Sequence, residues 1–117
     1  MATFRQGDIV RVPFPCTDRS TRQHRPALVV SAGGIGEDQF LLWVAMITSA
    51  ANRPLPGDVA FGDAYGQAGL PAPSVVRPCK MATIEARHAD HLGQASRQMM
   101  TQVLDAIGGY LAPDDVD

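Results

Sequence analysis

An arginine directly before a proline, Arg25-Pro26, opens the apolar run Ala27-Leu28-Val29-Val30. Proline fixes its own φ and drives the preceding residue toward extended geometry, so Arg25 is held in a defined conformation where a polar loop becomes a strand. A permanent cation aimed from such a point suits a phosphate, because the guanidinium is a rigid planar fork of donors. Four more arginines precede it, at positions 5, 11, 19 and 22, against Asp8 and Asp18 alone, a local balance of +3. The other 92 residues carry five basic and ten acidic groups, a balance of −5, which brings the chain to −2. Local potential, more than the total, steers a polyanion, so an acidic protein with this basic face can still bind a nucleic acid. His24 is the one neighbour whose type has a near-neutral intrinsic pKa.

Other chemistries find less support. Cys16 and Cys79 stand far apart with no Cys-x-x-Cys, and His88 and His91 have no third ligand at sensible spacing. No metal site is expected, nor any cofactor, and both thiols read as free. The longest apolar stretch, residues 40–47, is too short to span a bilayer, and the N-terminus has no basic segment followed by an apolar signal core. A cytoplasmic protein with no membrane association is the expectation. Its 117 residues are expected to form one domain, residues 1–117, with 45% hydrophobic and 19% charged content ordinary for a globular chain. A domain this small leaves much surface exposed per residue, which favours association with a second copy or a partner.

The elements that must position Arg25 are mainly β. Residues 8–14 alternate in a β rhythm, with Pro13 implying a sheet edge or strand end. A polar loop at 15–24 precedes a second strand over about 25–31, and residues 39–47 form a more continuously apolar, central strand. A Pro/Gly-rich connector at 52–57 leads to a short strand at 58–62, and residues 75–77 and 79–84 read as strands interrupted by Pro78. The period then changes: Met99, Met100, Val103, Leu104, Ile107 and Leu111 mark one stripe of a helix over about 97–111, with Ser96 as N-cap and Gly108-Gly109 expected to fray or end it. Short strands at this spacing predict a small barrel with a C-terminal helix.

Four pieces in this order resemble the MazF/PemK family of toxin endoribonucleases. They are Gly7-Asp8-Ile9-Val10-Arg11-Val12-Pro13-Phe14, then Arg25-Pro26-Ala27-Leu28-Val29-Val30-Ser31, then Ala45-Met46-Ile47-Thr48-Ser49, then Ser74-Val75-Val76-Arg77-Pro78 before the terminal helix. The resemblance covers nearly the whole chain. It implies an SH3-like β-barrel of the MazF/CcdB-like toxin fold, a homodimer, metal-independent cleavage of single-stranded RNA, and a cognate antitoxin as inhibitor. It also implies two catalytic side chains, Arg25 and Thr48. The loop Asp18-Arg19-Ser20-Thr21-Arg22-Gln23 departs from the family's small glycine-bearing versions.

RNA carries its own nucleophile in the 2'-hydroxyl, which can attack the adjacent phosphodiester and leave a 2',3'-cyclic phosphate and a 5'-hydroxyl. The protein must then orient the nucleotide and stabilise charge on the phosphoryl oxygens. Arg25 and Thr48 are assigned that work, with Arg19, Arg22, Gln23, His24, Ser49 and Arg77 as RNA contacts. The alternative is a non-nuclease protein of the same fold that acts by binding a partner, through gyrase inhibition or an antitoxin-type interaction, since a fold does not fix a function.

Overall fold

The computed structural model of the chain describes residues 3–15 and 22–113, with only the backbone described at 14, 15, 22 and 23. Among these, the elements in chain order are β1 Asp8–Pro15, β2 Arg22–Val29, β3 Leu41–Ser49, β4 Val59–Ala60, β5 Ser74–Glu85, β6 Asp90–Gln94 and α1 Arg97–Leu111. The strands make one antiparallel sheet in the order β4-β5-β3-β2-β1-β6, curled into a half-barrel, with the helix at its C-terminal end.

Strand β3 reads as continuously apolar because both of its faces are covered. Leu42, Val44 and Met46 join Val10, Val12, Ala27 and Val29 in one buried cluster. Ala45 and Ile47 point the other way, to a cluster with Ile9, Leu28 and Val76 that α1 closes with Met99, Met100 and Val103. Each fully buried aliphatic side chain contributes about 1.5–3 kcal/mol relative to exposure.

Pro13 lies where the sequence implies. Strand β6 pairs with β1 only between Asp8 and Arg11, so beyond that point no described strand pairs on that side of β1, and a missing N–H costs no ladder bond there. The two ends of the sheet meet through the segment after β4. Its Gly69, at φ +86°, passes so near Leu92 and Gly93 of β6 that a side chain on Gly69 or Gly93 would collide with the opposing backbone.

Three elements differ from expectation. Strand β6 has no alternating apolar signal, being an exposed edge, Asp90-His91-Leu92-Gly93-Gln94, that is held by backbone pairing to β1. Pro78 does not divide β5. The β3 register passes from Ala45↔Met81 to Met46↔Arg77, so Pro78, Cys79 and Lys80 are accommodated as a bulge. Gly108-Gly109 does not end α1, which runs to Leu111. Leu104 and Ile107 pack on the core before the glycines, and Tyr110 lies over Gly57 after them, so packing on both sides outweighs the roughly 1 kcal/mol that each helical glycine costs. The N-cap is as expected: Ser96 Oγ accepts from the Met99 N–H at 3.2 Å.

Candidate active site

Ladder direction explains what Pro26 does. The Val30 N–H donates to the Trp43 carbonyl at 2.9 Å, so the even-numbered residues of this segment aim their N–H groups at β3. Pro26 occupies the position where another such donor would stand, and it has none. The β2–β3 ladder runs Val29↔Val44, Leu28↔Ala45, Ala27↔Met46 and goes no further. Continuing that register by two residues sets Arg25 opposite Thr48.

Side-chain alternation puts both on one face of the sheet. Arg25 shares its face with Ala27 and Val29, and Thr48 shares its face with Val44 and Met46, all members of one buried cluster. Arg25 pairs with Val12 on its β1 side and Thr48 with Val75 on its β5 side, so the two flank the opening where the β2–β3 ladder has stopped. Both residues therefore stand at the end of an apolar floor. Thr48 is buried, at 7% exposure, and its Oγ1 accepts a 2.7 Å hydrogen bond from Asn52 Nδ2. Arg25 is half-buried.

Arg77 is paired with Met46. It does not stand as an open cation at a groove: its Nε and Nη2 grip both oxygens of Asp58, at 3.1 and 3.0 Å, and Nη2 also donates to the Arg53 carbonyl at 2.9 Å. The hydrogen-bonded guanidinium holds the Asp58 carboxyl below its ordinary value, with burial partly opposing, and Asp58 in turn raises Arg77. This clamp fastens the β3–β4 connector to β5.

The remaining expected contacts are dispersed. Alternation sends His24 to the opposite face of β2 from Arg25, where it is exposed. Ser49 is exposed at the strand end, its Oγ accepting from the Ala51 N–H at 3.1 Å. Arg22 and Gln23 belong to the backbone of β2, and Arg19 and Cys16 lie outside the described residues. His91 approaches Asp8 at 3.6 Å, beside β1. Among the described residues, no group of three or more His, Cys, Asp or Glu is placed to hold a metal ion. Sequence reasoning missed Asn52 and Asp58, since a turn brings one to Thr48 and sheet register brings the other to Arg77.

A family model of PemK-like, MazF-like toxins of type II toxin-antitoxin systems matches residues 5–111. Among solved structures, the chain is similar to MazF from Deinococcus radiodurans, at 22% identity and a TM-score of 0.74, over 95% of this chain and 98% of that one. It is similar to a chain of the MazE-MazF complex from the same organism, at 23% identity and a TM-score of 0.73, over 96% and 98%. A mycobacterial endoribonuclease in complex with its cognate antitoxin matches at 19% identity and a TM-score of 0.68, over 95% of each chain. A search of curated protein sequences finds no match. The family model spans all but the two ends of the chain, and the sheet, the terminal helix, Arg25 and Thr48 all lie within it: this protein belongs to the PemK-like, MazF-like toxins of type II toxin-antitoxin systems.

Proposed function

We propose that this toxin is a sequence-specific endoribonuclease that cleaves single-stranded RNA without a metal ion. The 2'-hydroxyl attacks the adjacent phosphorus in line and releases its proton to solvent. The P–O5' bond breaks with its electron pair on the 5'-oxygen, which takes up a proton, leaving a 2',3'-cyclic phosphate and a 5'-hydroxyl. Arg25 supplies fixed positive charge and a donor fork to the phosphoryl oxygens, and Thr48 supplies one further donor to a non-bridging oxygen. The observation that carries this reading is that Arg25 and Thr48 lie on one face of the sheet just beyond the last β2–β3 pair, Ala27↔Met46, where Pro26 lacks a donor.

Arg19, Arg22, Gln23 and Ser49 are the proposed RNA contacts around those two residues, and Arg77 acts through the connector it anchors. His24 takes no part in the proton transfers. As one 117-residue domain, the toxin works in the cytoplasm as a homodimer restrained by a cognate antitoxin. The antitoxin complexes known for its structural relatives support that partner.

The test is single-turnover cleavage of a mixed-sequence RNA pool by wild type, Arg25→Ala and Thr48→Ala. Cleavage by wild type that both substitutions suppress is the expected result. Intact RNA in all three, with growth inhibition persisting in Arg25→Ala, would instead assign toxicity to protein binding.

A further inference from the structure

A threonine hydroxyl carries one donor and two lone pairs, so what it offers a phosphate depends on what else it is bonded to. We propose that Asn52 is a positioning residue for Thr48. Its side-chain amide donates to Thr48 Oγ1, which occupies a lone pair, fixes the rotor and leaves the single O–H for a non-bridging phosphoryl oxygen. The inference rests on the ribonuclease reading and deepens it.

The geometry around Asn52 is built to hold that amide still. Residues 49–52 form a turn in which the Asn52 N–H donates to the Ser49 carbonyl at 3.1 Å and Ser49 Oγ receives the Ala51 N–H. Immediately after it, the Arg53 carbonyl is held by Arg77, which is itself locked to Asp58. The Asn52 side chain is thus fixed by a turn on one side and by the Arg77 clamp on the other, and it reaches back four residues to Thr48. Its own exposure means that substitution should not disturb the core.

Three measurements test this. Asn52→Ala should lower kcat by about 10- to 100-fold, the scale of a misplaced reacting group, while affinity for a 2'-deoxy-substituted RNA is unchanged. In a Thr48→Ala background the same substitution should cost nothing further, because the two act as one unit. Asn52→Asp should be slow at pH 7, where the carboxylate accepts the hydrogen bond of the Thr48 O–H and turns it from the phosphate, and should recover relative to wild type as pH falls toward the carboxyl's pKa, about 4. Full activity in Asn52→Ala, independent losses in the double variant, or a normal rate for Asn52→Asp at pH 7 would each overturn the inference. If wild type cleaves and Thr48→Ala does not, such outcomes remove the Asn52 role alone. An inert wild type removes the nuclease reading and this role together.

Discussion

A guanidinium keeps its proton at any working pH, so Arg25 can stabilise charge or hold a leaving oxygen but cannot act as a base. In the proposed reaction the fork itself is then the feature that acts. Arg25→Ala should lower kcat by about 100- to 1000-fold, as loss of a transition-state donor does, and Arg25→Lys should restore only part of it, since a point charge cannot bridge two oxygens. Single-turnover rates at saturating enzyme measure both. His24→Ala should leave the rate and its pH dependence unchanged, because alternation turns that ring to the other face of β2. Arg25 was legible as a positioned cation from its proline neighbour, and Arg25 and Thr48 as candidate site residues from the family resemblance. Asn52 was not legible, because its partner is chosen by a turn in a Pro/Gly-rich connector where no periodicity exists to be read.

At the scale of elements, two devices shape the site. The first is the ladder end at Pro26. Pro26→Ala would restore an N–H aimed at Ile47, extend the β2–β3 pairing past Arg25 and Thr48, and lower cleavage without lowering stability; amide exchange at residue 26 reports whether the new bond forms. The second is the Arg77–Asp58 clamp, with side chains 13% and 10% exposed. Asp58→Asn should destabilise the fold by about 1.5–3 kcal/mol in urea unfolding, the range for hydrogen bonds to charged groups. Because the folded-state pKa of Asp58 lies below its ordinary value of about 4, this contribution is complete above that value. It is lost as pH falls through the lower, folded pKa, and Asp58→Asn should abolish that part of the acid dependence.

Alternation located β1, continuous apolar runs buried on both faces located β2 and β3, and helical spacing located α1, each within a few residues. Edge strand β6 buries little and left no local mark, whereas Pro78 marked an irregularity whose nature, a bulge and not a break, is decided by pairing with the distant strand β3.

Along the sequence, the basic first quarter beside an acidic remainder suits the proposed polyanionic substrate. Trp43 is 50% exposed and Leu111 77% exposed, apolar area that supports the proposed homodimer. Sedimentation should give twice the 12.5 kDa chain mass. No helix among the described residues is long and apolar enough to cross a membrane. In the proposed reaction, RNA supplies its own nucleophile to a site built from Arg25 and Thr48. The most direct test of that claim is mass spectrometry of the new ends after cleavage of a single-stranded RNA in EDTA. The predicted result is a 2',3'-cyclic phosphate on one fragment and a 5'-hydroxyl on the other. A 3'-hydroxyl with a 5'-phosphate, or cleavage that EDTA abolishes, would contradict it.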